Sequence, residues 1–548
     1  MKFIISAILI SLTSGVCFSQ PLSGLFTVGG DNPDFPSPAE AAIQLNLNGV
    51  GNAPIDFVIR NGEYVNSFEI NAQGSPQALV TFRSESGIAE NVSLSSETFA
   101  DLITLSGAAY IRFVKIKLKV NGNSAYSALE ILNASHHIYL DSCIVEGSSG
   151  NSSTYAASSI YALSTSSGQN STHLFISNSF IHQGSYGVCV DMTGNSSDSI
   201  VVSNCRFENQ YAGGIFMKDL LAPTVENNRV SVSQIGNTGF NGITWDNCDG
   251  AGRITGNDIF TLNGGRANYG IELNGSAGLA GNEIIIANNS VEVQNLNSLC
   301  YGLAQSNNCT NYRIFHNLFF VSGGNSSGST AYQTFVFDGS TRFFNNILVS
   351  NATSSTNRCV YIANQSGMEF IDYNCYWTLN AGSNFTGYFG GAESDFQSFT
   401  SETGELYSLN LDPQLEFIDG RGWRASSESL MNTALLVEDF QTDIDNQLRP
   451  DPPCIGANEV NQLSTNLANS ILDTWFVYSD GNILRIGGKI QEPEAVYLFD
   501  LQGRFVLHSE FNLSYETLVI PVSTLVPGIY LVGISAVGRM SFKKVYIP

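Results

Sequence analysis

Charge is what this chain of 548 residues has least of: Asp, Glu, Lys and Arg make up only 13% of it, against about 25% in an average soluble protein. Something other than charge must coat its surface. Bases are scarcer still, 24 against 48 acids, giving a formal charge of −24 that repels phosphate backbones and anionic lipid. Nucleic acid is therefore not an expected partner. Proline is rare, 15 residues against 52 glycines, a balance that points to turn-rich β-structure rather than helices or disorder. The chain has neither a Cys-x-x-Cys pair nor a His-Glu-x-x-His helix, which argues against zinc, and its six histidines are scattered without a nucleophile motif. What is present is a 43% hydrophobic fraction, enough for a sizeable core, with Asn, Ser, Thr and Gly to cover it. The length permits several ordinary domains or one elongated repeat fold, and excludes a disulfide miniprotein.

Residues 1–19 combine a single Lys, an apolar run from Phe3 to Leu12 and small residues at Cys17 and Ser19. This is the pattern of a secretory signal cleaved after Ser19. The run is far short of the roughly 20 residues a bilayer requires, and Val16 before Cys17 does not suit a lipoprotein site. No later stretch is long and apolar enough to span a membrane, so the mature chain is expected to lack a transmembrane segment.

The last eighty or so residues differ in composition. From Ser470 onward there are seven acids and six bases, so nearly all the negative charge lies before this point. Alternating runs at Ala495–Asp500 and Gly528–Gly533, bounded by Gln502-Gly503 and Val526-Pro527 turns, predict a small β-sandwich over 475–548, with 461–474 as its linker. The run LFDLQGRFV (Leu498–Val506), the step Leu525–Tyr530 and the ending Lys543-Lys544-Val545-Tyr546 resemble the C-terminal sorting domain of type IX secretion substrates. The usual Tyr-Pro-Asn-Pro opening is replaced by Trp475-Phe476-Val477-Tyr478. The resemblance implies a Bacteroidetes-type Gram-negative bacterium, with the type IX machinery as partner. It also implies passage through the outer membrane and removal of the domain, with release or surface anchoring. Asp500, Gly503, Arg504, Gly528, Tyr530, Lys543 and Lys544 are the positions that carry it.

Between the ends a short phrase recurs: Leu140-Asp141-Ser142-Cys143, Ile176-Ser177-Asn178-Ser179, Val202-Ser203-Asn204-Cys205 and Val225-Glu226-Asn227-Asn228, continuing through Asn257, Asn289, Asn317 and Asn346 to Asn374. The interval averages about 29 residues, inside the window of solenoid repeats. A second strand follows in each unit, marked by Gly187-Val188, Gly214-Ile215, Gly242-Ile243, Gly270-Ile271 and Gly302-Leu303. Short strands with Asn and Gly at the corners and no room for a crossover helix predict an all-β, right-handed parallel β-helix over 131–460. Corner Asn tolerates left-handed backbone and can stack its amide on the coil above. Residues 20–130 supply the cap and first coils, including a helix entered at Ser37-Pro38. The first coil at Val58–Tyr64 and the closing runs Leu411–Gln414, Asp445–Pro450 and Ile455–Glu459 resemble the pectate-lyase-like superfamily of secreted β-helix proteins. That resemblance implies architecture and leaves substrate open.

Nine cysteines remain after signal cleavage, so at least one is unpaired. Cys143, Cys205 and Cys375 are read as packed thiols at the repeat position held elsewhere by Asn, while Cys300 and Cys309 are left as a possible local pair.

If Val188, Ile215, Ile243 and Ile271 face inward, period-two alternation turns Val190, Met217, Trp245 and Leu273 inward as well. Asp191, Lys218, Asp246 and Asn274 then form one outward column, and Cys189, Phe216, Thr244 and Glu272 its neighbour. For a lyase, Lys218 would abstract the proton beside a uronate carboxyl while Asp191 and Asp246 hold a cation such as calcium. For a glycoside hydrolase, Asp246 and Glu272 would be the acid and base. Phe216 and Arg266 are the candidate substrate-binding residues. The plainer alternative is a surface ladder of alternating charge. No Asn-x-Asp, Asp-Asp, His-Gly set of the polygalacturonase type is present, and so acidic a body would repel pectin or alginate unless calcium bridged them. The expectation is a secreted or cell-surface protein that binds or processes extracellular carbohydrate. The alternatives are a polysaccharide lyase or glycoside hydrolase, and a non-catalytic adhesin or structural rod.

Overall fold

The computed structural model describes residues 20–460 except 97–98, 124, 195–196, 233–238, 263–265, 296–297, 324–327, 337–339, 353–357, 380–385 and 392; it also describes 475–547 except 481–482, 489–492, 501–503, 511–516, 524 and 537–538. The signal segment 1–19, the linker 461–474 and Gly503 lie outside the described residues. The chain divides into two compact units, one ending at Asn461 and the other starting at Gln462.

The first unit is a parallel β-solenoid of about twelve turns. Each coil contributes one strand to each of three sheets, of thirteen, twelve and thirteen strands, and each strand pairs with its counterpart one coil away. In the order the chain visits them, the first sheet runs from Leu22–Val28 to Met368–Asp372 and the second from Gly62–Val65 to Cys375–Thr378. The third runs from Phe68–Ile70 to Gly387–Phe389 and ends in one antiparallel strand, Glu393–Ser394. Inward side chains stack coil upon coil. Phe57, Phe82 and Phe113 are fully buried, with ring centroids 4.7 and 5.6 Å apart, each burial contributing ~1.5–3 kcal/mol.

The corner between the first and second sheets divides its work between two consecutive residues. The first takes left-handed backbone, as at Asn178, Asn204, Asn227, Asn288 and Asn345. The second turns inward, and from Asn228 to Asn374 it builds a buried amide ladder. Asn289 Nδ2 donates to Asn317 Oδ1 (2.9 Å) and to the Ile254 carbonyl (2.8 Å), while Asn289 Oδ1 accepts from Asn257. Cys143 and Cys205 stand at this ladder position, and their backbone N–H groups donate to Ser179 Oγ and Asn228 Oδ1, as the ladder residues' N–H groups do. Cys375 does not: Asn374 holds the ladder place, and Cys375 opens the following strand opposite Ile347. All nine described cysteines are free and buried, Cys300 and Cys309 included.

Both ends of the coil are plugged. Helix α1 (Pro38–Asn48) begins with Pro at its first position and the Ser37 hydroxyl accepting from the Glu40 N–H, and lays Ala41, Ala42 and Leu45 on the first coils. Helix α2 (Phe396–Thr403), capped by Asp395, seats fully buried Phe399 against Tyr376 and Phe389. Residues 404–460 then run back along the coils. Arg449, with its side chain 1% exposed, pairs with Glu459 and donates to Asn288 and to two carbonyls, those of Gly456 and Ala457.

The second unit is a small antiparallel β-sandwich, three strands in one sheet and four in the other, around Leu484, Ile486, Val496, Leu498, Val532, Ile534 and Val545. Among the described residues no helix is long and apolar enough to cross a membrane.

Candidate functional site

The third sheet aligns Asp191, Lys218, Asp246 and Asn274 in strict register on four successive coils. Cys189, Phe216, Thr244 and Glu272 are aligned beside them. A glycine stands near the start of each of these strands, at Gly187, Gly214, Gly242 and Gly270. A Cβ at Gly242 would lie 2.5 Å from the Gly270 carbonyl and 2.5 Å from Ile259, so the close coil spacing here needs the missing side chain.

Lys218 does not stand free between its two acids. Its ammonium is 2.9 Å from Asp191 Oδ1, and that hydrogen bond, outweighing partial burial, raises its pKa above the ordinary lysine value. An ammonium so held keeps its proton at neutral pH and fills the place between Asp191 and Asp246 that a cation would need. Asp246 accepts instead from Asn274 Nδ2 at 2.8 Å. Among the described residues no three His, Cys, Asp or Glu side chains gather as a metal site.

Phe216 points out of the coil as its column requires, yet it is only 6% exposed. Tyr155, from the turn Tyr155–Ala157, stacks on it at 4.7 Å and Tyr186 crosses it at 5.6 Å. The ring offered to solvent is therefore Tyr155, 37% exposed, and not Phe216. Nothing in the repeat pattern marks Tyr155, because it sits in an insertion within one coil, between the strands Ile144–Glu146 and Ile160–Leu163. Its only signal is an aromatic residue in an otherwise Ser- and Ala-rich loop.

Glu272 is the carboxyl of this flank whose ionisation burial disfavours. It accepts from Asn241 Nδ2 at 2.7 Å and from Thr244 Oγ1 at 3.4 Å. Burial nevertheless raises its pKa, with the charge of Asp246 adding to the rise. Since Thr244 pairs with Glu272 and Asp246 with Asn274, the two carboxyls are diagonal neighbours, about 8 Å apart at Cβ from sheet spacings. Tyr269 and Tyr301, stacked at 4.9 Å, continue the flank. Arg266 is exposed and makes no side-chain hydrogen bond or ion pair with the described residues, so it is not drawn into this group.

In the second unit, the Asp500 carboxylate accepts from the Arg504 backbone N–H (2.9 Å) and Nε (2.6 Å), closing the hairpin between Pro493–Phe499 and Phe505–Glu510. Gly528 opens a strand in which Tyr530 turns its hydroxyl back to the Val526 carbonyl (2.7 Å). Lys543 and Lys544 lie opposite Val532 and Leu531 on the last strand. Residues 482–548 match the family described as the secretion system C-terminal sorting domain. The C-terminal unit is a sorting domain. It sends the chain through the type IX secretion system to the cell surface or the extracellular space. No curated protein matches the chain, so the β-solenoid's role rests on its own geometry.

Proposed function

We propose that the protein is an extracellular carbohydrate-binding β-helix whose third-sheet flank receives a glycan chain, within a mature body of residues 20–460 left after removal of signal and sorting domain. The observation that carries this reading is the exposed Tyr155 ring, held rigid over Phe216 beside a row of amides and carboxyls. An aromatic face with flanking polar groups is how proteins grip the apolar face and hydroxyls of a sugar. Straight stacked coils suit a linear polymer.

A second reading, hydrolysis, is favoured by Glu272 and Asp246. A carboxyl with a raised pKa next to an acid one coil away divides the roles of proton donor and water-activating base. The two stand as diagonal neighbours on adjacent coils, on the same face of the sheet. The lyase alternative asks Lys218 to give up a proton that Asp191 holds in place, and calcium would have to displace that ammonium. The charge ladder accounts for Lys218 and Asp191 without chemistry.

The test is a screen of soluble polysaccharides for binding and for new reducing ends, using wild type, Tyr155→Ala, Glu272→Gln and Asp246→Asn. Binding that falls at least tenfold in Tyr155→Ala supports the flank. Reducing ends that vanish in Glu272→Gln while binding survives establish hydrolysis. Binding indifferent to Tyr155, or unsaturated uronate products that depend on Lys218, would overturn the reading.

A further inference from the structure

On another face, at the concave corner between the first and second sheets, lies a cleft of about 690 Å³. Coils form its floor and residues 420–446 its roof. Four arginines line it, Arg206, Arg229, Arg421 and Arg424, against two aspartates, Asp258 and Asp445. In a chain with 24 bases and a formal charge of −24, such a gathering runs against the overall composition.

Pairing within the cleft uses up the acids but not the bases. Arg424, with its side chain 5% exposed, takes both carboxylates: Nη1 is 2.8 Å from Asp258 Oδ1 and Nε 2.9 Å from Asp445 Oδ2. Arg206 reaches Glu208 through Nε at 2.7 Å and lies over the Phe180 ring at 5.2 Å. Arg421 has no side-chain hydrogen bond or ion pair with the described residues; Arg229 makes none either, but it stands opposite Asp258 on the next coil and acts on that carboxylate through its charge. Moreover, Arg206 and Arg229 are directly opposed on neighbouring strands, about 4.8 Å apart along the stack. Like charges placed so repel, and the acids that offset them are Glu208, bonded to Arg206, and Asp258, opposite Arg229 and shared with Arg424. Phe180 beside them adds an apolar ring, and the exposed amides of Asn204 and Asn227 add neutral hydrogen-bonding groups.

We propose that this cleft is a second ligand site, built for an acidic oligosaccharide whose carboxylate or sulfate groups pair with Arg206, Arg229 and Arg421. Guanidinium groups bind both anions in bidentate geometry. The step from one arginine to the next along the coils matches the advance of about one pyranose residue in an extended chain, and a ring with amides suits the uncharged part of a sugar. The site is separate from the third-sheet flank and takes the opposite class of glycan from the one an acidic surface admits.

The full chain is titrated calorimetrically with tetragalacturonate, with a sulfated tetrasaccharide and with uncharged cellotetraose. At least one anionic probe binds tenfold or more tighter than cellotetraose, and raising the salt weakens it; the tighter of the two identifies the group preferred. Arg421→Gln, at an exposed hairpin tip, and Arg229→Gln each lower that affinity about fivefold or more with the melting temperature unchanged, while Tyr155→Ala and Glu272→Gln leave it alone. The proposal is overturned if neither anion outbinds cellotetraose, if both arginine variants bind as wild type, or if Tyr155→Ala removes the binding.

Discussion

Arg449 shows how much one buried charge can hold. It joins Glu459, Asn288 and the Gly456 and Ala457 carbonyls, fastening the closing segment to the coils more than a hundred residues earlier. Removing one partner of such a pair leaves an uncompensated charge, a loss of about 3–5 kcal/mol. Arg449→Met should show that loss in denaturant unfolding of the solenoid, with a matching fall in melting temperature. Glu405 sets a pH response of its own. Buried beside Tyr376 and Ser408, its carboxyl is pushed up to about 7, above the ordinary 4.3 or so of an unfolded chain. With the folded value the higher, its contribution is fully present below about pH 4 and is lost as pH rises through about 7, on the order of 3 kcal/mol. Glu405→Gln should therefore gain on the wild type in unfolding experiments at pH 8 and lose that gain at pH 4.

Within a coil the two-residue corner is the element that repeats, and its halves should differ in cost. Asn289→Ala breaks the ladder to both neighbours and strands buried groups of Asn257, for a loss of about 3 kcal/mol. Asn204→Ala gives up only an exposed left-handed residue, about 1 kcal/mol. Equal losses in chemical denaturation would mean that the ladder is not what holds the corner. The same repeat explains how much could be read beforehand. The columns through Asp191 and Cys189 were legible because strand alternation and a glycine mark recur over five successive coils, from Gly187 to Gly302. Cys375 was placed one position off because Asn374 and Cys375 are adjacent and only the observed pairing decides which faces inward. Tyr155 was hidden in an insertion with no repeat to align. Arg206 and Arg229 each follow the corner phrase by one residue, a shared offset visible in the sequence; their meeting with Arg421 depends on a segment that returns from far along the chain.

At the scale of the whole molecule, delivery belongs to the C-terminal unit, and the proposed recognition to the solenoid. The solenoid presents long flanks, and the sorting domain supplies the address. A chain lacking 482–548 should keep the solenoid's circular dichroism yet stay inside the cell envelope when fractions are probed by immunoblot, whereas the complete chain appears at the surface or in the medium. The central claim, that the third-sheet flank binds a glycan, is tested most directly by hydrogen exchange of the full chain with and without a neutral polysaccharide that it binds. The account predicts slowed exchange confined to the neighbourhood of Tyr155 and to the strands Asn241–Asp246 and Asn268–Asn274. Protection confined to the other two sheets, or to the sorting domain, would contradict it.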